Sequence, residues 1–310
     1  MLSGVSAGSE LLIYRGQAPA GMAVDETIDS LAGQFNILKY GYASVGRVID
    51  GGSAASREWL GRHVFAFNPH ESHITAKPSD VLVLPDNMTP ETAVFLPNME
   101  TAVSLIMDGR PVIGEQVAVL GQGIVGLLTV ALLAEFPLSS LVTFDTYPLR
   151  REWSRTLGAN TSLNPIDPDV VEQGLAALSG DRSYMGADLV YELSGNPAAL
   201  DLAVSLTGYN GRIVVGSWYG NKTATLDLGG RFHRSHMQLI STQVSHMAPQ
   251  WLGRWTKDRR MDVAMEMLRR IHPERLITHR LPIDQAVEGY RQLDQVPDDT
   301  LQMVFTYPAT

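Results

Sequence analysis

VAVLGQGIVG, residues 117–126, is the stretch on which the reading of this chain turns. Its four leading apolar residues make a buried strand, and Gly121, Gly123 and Gly126 supply G-x-G-x-x-G where that strand passes into a helix. Each glycine answers a physical need. One permits a tight turn, one lets backbone N–H groups approach a pyrophosphate, and one allows close packing of helix on strand. The helical run LLTVALLAEF follows, then a second apolar run, LVTF, ending at Asp145, nineteen residues after Gly126. A carboxylate there can accept hydrogen bonds from the ribose hydroxyls of an adenosine. Glycines alone are a weak signal; strand, glycines, helix, strand and acid in this order point to a dinucleotide site.

Two plainer readings compete. Val117 to Ala134 is eighteen residues without a charge, the length of a membrane span. Three glycines, Gln122 and Thr129 interrupt it, and no close Lys or Arg cluster flanks it, as suits a strand and helix covered on both faces by protein. A glycine turn that packs but binds nothing is the other, and Asp145 argues against it.

Composition narrows the classes further. The chain has 310 residues, enough for two domains with cores of their own, and 45% hydrophobic with 18% charged residues is ordinary for a globular protein. A net charge of −9 argues against nucleic acid or an anionic membrane as partner. The start, MLSGVSAGSELL, has neither a basic n-region nor a long apolar h-region, so a cytoplasmic location is expected. There is no cysteine, which excludes disulfides and any Cys-ligated zinc or iron–sulfur site.

Three regions follow from the patterning. Residues 1–97 are rich in Gly, Ser and Pro, with β-like runs at 42–50 and 63–67 between turn signals, and read as an irregular β-rich domain. Residues 98–242 alternate strands (116–120, 141–145, 188–193, 211–217, 237–242) with helices (123–135, 148–157, 167–178, 197–206). That alternation predicts a doubly wound parallel sheet, an α/β fold whose ligand lies beyond the carboxyl ends of the strands. Those ends are Gly121–Gly126, Asp145, Ser194–Gly195 and Gly216–Ser217. Residues 243–310 add a helix with Met261, Ala264, Met265, Leu268 and Ile271 at helical spacing, a strand and helix, and a closing strand LQMVFTY; this tail is expected to pack back on the first domain.

Taken together, these residues resemble the medium-chain dehydrogenase/reductase family, in which a GroES-like domain is joined to a Rossmann domain. Beside the fingerprint, the resemblance rests on METAV (99–103), LGAN (157–160) and the opening SGVSAGSELLIYRG. The opening is most similar to the branch around bacteriochlorophyllide hydroxyethyl dehydrogenases. The resemblance implies that Thr101 and Val125 lie beside a nicotinamide ring, with Ile124 next to Val125 in the cofactor turn. It also implies that Ser9 relays the substrate's proton, unless it is only a turn residue, and that the protein is a homodimer; GRIVVGSWYG offers a contact surface, although Trp218 and Tyr219 could equally be core. Family members carry further strand before this opening, so exposed edges are expected in the first domain.

The departures concern the metal. Zinc members place a cysteine in the opening motif, where this chain has Ser6, allowing a one-residue offset, then Ser9 and Glu10. Their Gly-His-Glu becomes Gly41-Tyr42-Ala43, and the third ligand position falls around Pro97. A hydroxyl, a phenol and a proline are not a zinc site at neutral pH. Without zinc, a carbonyl must be polarised by a preorganised donor, and Tyr42 is the candidate, although it could equally be a half-buried core aromatic.

The expected activity is zinc-independent interconversion of a small alcohol and a ketone or aldehyde, with NAD favoured over NADP because Asp145 repels a 2′-phosphate. Arg150 and Arg151 are expected on the solvent side of the helix from Pro148. Alternatives are a quinone or enone reductase of the same family, or a dinucleotide-binding protein without turnover. Glu10 reads as a structural partner of the Arg15 region or a general base, and His70 and His73 as loop histidines. His233, His236, His246 and Trp251 could reach a substrate, but ordinary packing explains them as well.

Overall fold

The structure is a computed structural model and describes residues 1–19, 21, 39–52, 54–179 and 186–308. Contacts divide the chain into two compact units, Met1–Pro97 with Ala264–Thr310, and Asn98–Val263.

The first unit opens with strand β1 (Leu2–Gly4) and helix α1 (Ala7–Tyr14). Strands β2 (Ser44–Arg47), β3 (His63–Ala66) and β4 (Val81–Val83) follow, then a one-turn helix α2 (Pro90–Ala93) capped by the Thr89 hydroxyl. The first boundary falls inside helix α3 (Leu96–Gly109).

The second unit alternates β5 (Gln116–Leu120), α4 (Ile124–Leu133), β6 (Ser140–Phe144), α5 (Pro148–Thr156), β7 (Thr161–Leu163), α6 (Val170–Ser179), β8 (Ala187–Glu192), α7 (Ala199–Leu206), β9 (Thr207–Val215) and β10 (Gln238–Ser241). Helix α8 (Lys257–Ile271) contains the second boundary, and β11 (Ile277–Pro282), α9 (Ala286–Gln295) and β12 (Gln302–Thr306) complete the first unit.

The sheet of the second unit runs β10-β9-β8-β5-β6-β7, and every pairing in it is parallel. The chain leaves β5 in one direction through β6 and β7, then returns to the other side of β5 for β8, β9 and β10. Between β5 and β8 the order reverses, the place where such sheets open a crevice for a ligand. Strand β5 is buried at all five positions because helices cover the sheet, and α4 is apolar all round for the same reason, with Leu127, Leu128, Val130 and Leu133 inaccessible. Ala118, Leu120, Val142, Phe144, Val190 and Ile213 form part of one core cluster against this sheet. The α/β fold with a parallel doubly wound sheet is the one anticipated.

The first unit holds a mixed sheet of order β11-β12-β1-β2-β3-β4, parallel only between β11 and β12. Strand β1 is inside this sheet, between β12 (Ser3 opposite Phe305) and β2 (Leu2 opposite Val45), and the sheet's edges are β11 and β4. The opening motif, anticipated in an irregular β-rich region, is strand followed by helix.

Other differences have identifiable causes. The second unit extends to Val263, beyond residue 242, because Arg260 of α8 is buried in it against Glu100 of α3 at 2.7 Å. The GRIVV part of GRIVVGSWYG lies in β9, which is paired by both β8 and β10, and the edges of this sheet are β10 and β7. No helix is long and apolar enough to cross a membrane among the described residues.

Candidate active site

The dinucleotide half is built by the turns that follow β5, β6, β8 and β9. Gly121 has φ +91°, and a Cβ there would lie 2.5 Å from the Ser194 backbone. At Gly126 a Cβ would lie 2.0 Å from the Gly121 carbonyl oxygen, so helix and turn meet at a distance only glycine permits. Gly123 caps α4 from an extended conformation with open space around it, and Ile124 and Val125 start the helix half-buried. The first N–H groups of a helix have no acceptor within it, which makes this end receptive to a phosphate.

Asp145 ties two of the turns together. One carboxylate oxygen accepts the Gln122 N–H at 2.7 Å and the other the Tyr147 N–H at 2.9 Å. Arg150 and Arg151 do not point to solvent as expected. Arg150 lies over the Tyr147 ring at 4.6 Å with Nη1 3.9 Å from Asp145, and Arg151 donates to the Asp145 and Thr146 carbonyls at 2.8 Å. The turn after β6 leaves those carbonyls unpaired in the sheet, and the guanidinium satisfies them. Arg150 Nε is buried and has no hydrogen-bond partner among the described residues.

Ser194, Gly195 and Gly216 gather around a residue that no sequence motif singled out, Glu192, fully buried at the end of β8. Its carboxylate accepts from the Ser194 N–H (2.8 Å), the Ser194 hydroxyl and the Tyr219 phenol, while its carbonyl accepts the Gly216 N–H at 3.0 Å. The Gly195 N–H donates to Ser217 Oγ at 2.8 Å, and Lys222 to the Gly195 carbonyl. Burial, then the hydrogen bond to Glu192, pushes the Tyr219 phenol well above the ordinary tyrosine range. The signal for Glu192 was a lone acid closing an apolar strand, DLVYE. Thr101 lies on α3 one turn before Leu105, whose side chain abuts Gly216, so the two share a helix face.

His233 and His236 stand elsewhere. They precede β10 in a parallel sheet, at the opposite end from the glycine turn, beside an open depression of about 610 Å³ shared with Phe232, Arg234 and Met237.

In the first unit, Ser6, Ser9 and Tyr42 come together. Ser6 caps α1, but its hydroxyl makes no capping bond; it bonds the Tyr42 phenol instead, and Ser9 Oγ reaches the same phenol at 3.4 Å. Burial raises the Tyr42 pKa; the Ser6 and Ser9 hydroxyls oppose this, and the charge of Glu10 adds to it. Pro97, at the third position, has no side-chain donor or acceptor to offer. Zinc would need thiolate, imidazole or carboxylate ligands. A hydroxyl bonded directly to a neutral phenol leaves neither the charge nor the space between them, and these residues do not fit that metal.

Glu10 is partnered differently from the expectation. Arg15 pairs with Asp294 at 2.6 Å, whereas Glu10 accepts the Ser6 N–H at 2.6 Å, the Tyr290 phenol, and His70 Nε2 at 3.1 Å. His70 is accordingly no surface-loop residue: its side chain is 9% exposed, while His73 remains exposed beside Ser72.

Comparison with known proteins agrees with this architecture. The zinc-binding dehydrogenase family matches residues 125–268. D-guloside 3-dehydrogenase of Escherichia coli K12 is 24% identical over 280 residues, 88% of this chain and 79% of its own. The chain is thus similar to zinc-type alcohol dehydrogenase-like proteins, as the medium-chain dehydrogenase/reductase resemblance implied. The dehydrogenases among these relatives support an alcohol dehydrogenase-like oxidoreductase. Two solved members of this fold are the apo zinc-dependent alcohol dehydrogenase 2 of Streptococcus pneumoniae and an alcohol dehydrogenase of E. coli CFT073 complexed with NADH. The first has TM-score 0.76, 17% identity and coverage of 100% and 90% of the two chains. The second has TM-score 0.73, 16% identity and coverage of 98% and 89%. The family match begins at Val125, so it does not include Ser6, Tyr42 or Pro97.

Proposed function

We propose that this protein interconverts a small alcohol and its ketone or aldehyde by hydride transfer with NAD(H), without zinc. The observation that carries this reading is the hydrogen bond between the Ser6 hydroxyl and the Tyr42 phenol, at positions that the family resemblance assigns to metal ligands. Gly121, Gly123, Ile124, Val125 and Gly126, with Ser194, Gly195, Gly216 and Thr101, would hold a nicotinamide dinucleotide, which when bound would supply or accept the hydride. Asp145 takes the ribose hydroxyls, and its charge disfavours a 2′-phosphate, so NAD is preferred over NADP.

The first unit handles the proton. Reduction of a carbonyl requires one at the developing alkoxide, and Tyr42 holds one at Oη because burial and the Glu10 charge keep the phenol protonated. As Tyr42 releases it, the hydroxyls of Ser6 and Ser9 can donate to the phenol oxygen, and half-buried Ser9 returns a proton from solvent. This preorganised donor would polarise the carbonyl without a metal. We also take the protein to be cytoplasmic and homodimeric; sedimentation showing only monomer at micromolar concentration would remove the dimer.

The test is Tyr42→Phe. We expect kcat for carbonyl reduction to fall about 10²–10³-fold, the loss typical of one preorganised donor, with NADH affinity unchanged. Full activity in the variant would overturn the role of Tyr42.

A further inference from the structure

Beneath the Ser6–Tyr42 pair lies a second, longer set of hydrogen bonds. Glu10, 3% exposed, holds a carboxylate whose partners are the Ser6 N–H, the Tyr290 phenol and His70 Nε2. On the far side of the ring, His70 Nδ1 is 2.7 Å from Ser3 Oγ, which is 2.8 Å from the Tyr307 phenol. An ionised carboxylate can only accept, so the His70 proton belongs on Nε2. A neutral ring in that tautomer accepts from Ser3 at Nδ1, Ser3 accepts from Tyr307, and every buried group is satisfied.

The ring also bears on the residue before Tyr42. Gly41 has φ +111°, and a Cβ there would lie 2.7 Å from His70 Cδ2 and Nε2. The His70 N–H donates to the Tyr40 carbonyl at 3.2 Å. His70 therefore braces residues 40–41, which carry Tyr42, while Glu10 holds the backbone of Ser6. The connection from Glu10 to Ser6 runs through a backbone N–H, which cannot pass a proton along. The chain of bonds is thus no proton wire to Tyr42; its effect is on position.

We infer that Glu10 and His70 form a buried positioning couple that fixes the Ser6–Tyr42 hydroxyl pair from both sides. This rests on the reading of Tyr42 as the proton-bearing residue. Other members of the cluster serve the couple: Tyr290 and Ser3 complete its hydrogen bonding, and the Phe305 ring meets the imidazole edge-to-face at 5.2 Å.

The experiment uses the full chain with tyrosine labelled at Cζ, whose ¹³C shift reports hydrogen bonding of the phenol; Tyr42→Phe identifies the signal. His70→Ala is expected to shift or broaden the Tyr42 resonance while NADH affinity stays within about threefold, which certifies the fold. It is also expected to lower kcat about a hundredfold, as a displacement of about 1 Å can. His70→Gln, whose amide replaces the Nε2 donor to Glu10, is expected to restore the resonance and most of kcat. An unmoved Tyr42 signal in folded His70→Ala, or a His70→Gln variant no better than His70→Ala, would overturn the couple. Full activity in Tyr42→Phe would instead remove the functional reading, whatever the tyrosine spectra show.

Discussion

Gly126→Ala makes a demand on the glycine turn that can be worked from the structure. The new Cβ would sit 2.0 Å from the Gly121 carbonyl oxygen, where ordinary contact begins at 3.4 Å, so about 1.4 Å of separation must be found. The neighbour is backbone and cannot rotate away. Gly121 is itself pinned, with its N–H on the Phe144 carbonyl at 2.8 Å and its Cα against Ser194. The start of α4 must therefore withdraw. Overpacking of this kind costs about 1–3 kcal/mol of stability. A withdrawal of that size also takes the helix N–H groups beyond hydrogen-bond reach of a pyrophosphate. Charge-assisted bonds contribute about 1.5–3 kcal/mol each, so losing two weakens NADH by roughly 10²–10⁴-fold. Gly123→Ala provides the contrast, because nothing lies within 4 Å of its Cβ. It should unfold at the parent temperature yet bind NADH poorly, since the methyl occupies the phosphate approach. Fluorescence titration with NADH and thermal unfolding of both variants make the test. A Gly126→Ala protein with parental NADH affinity would refute the account of the turn.

Other perturbations follow from buried groups. Arg150→Ala should weaken NADPH more than NADH, because the guanidinium is the cation paired with the Asp145 carboxylate and has a free Nε; parental protein preferring NADPH in the same titrations would contradict the NAD assignment. Tyr191 has a buried hydroxyl with no partner among the described residues, so Tyr191→Phe should gain about 1 kcal/mol in urea unfolding; a loss of stability would show that the hydroxyl is satisfied. Burial raises Tyr42 and Tyr191 above the ordinary tyrosine value, so the folded state keeps protons that the unfolded chain releases. Their contribution is intact below pH about 10 and is lost as pH rises further, at roughly 1.4 kcal/mol per pH unit for each tyrosine. Unfolding free energy that is flat between pH 9.5 and 11, two settings chosen to span about that value, would contradict this.

What the sequence made legible was local. VAVLG and LVTF are uninterrupted apolar runs closed by glycine or acid, and both became strands within a residue of expectation. Asp145 was found because its spacing from Gly126 reflects one helix and one strand. The three-residue β7, half-buried throughout, has too little apolar pattern to stand out after LGAN. Helix α1 was hidden because SGVSAGSELL is dominated by small residues. The pairing of Glu10 with His70 spans sixty residues and is created by the sheet order that lays β1 beside β2. Strand order is likewise what pairs the GRIVV part of GRIVVGSWYG on both sides, by β8 and β10. Arg150 and Arg151 were expected on the solvent side of the helix from Pro148, whereas the Asp145 and Thr146 carbonyls and the Asp145 carboxylate turned them inward.

The central claim is that a phenol, with no metal, provides the proton and polarises the carbonyl. Its most direct test is single-turnover transfer of deuterium from [4-²H]NADH to a carbonyl panel, using protein stripped by chelation and assayed for zinc in the same sample. The account predicts deuterated alcohol at an undiminished rate from zinc-free protein. Transfer that stops on chelation and returns with stoichiometric zinc would contradict it.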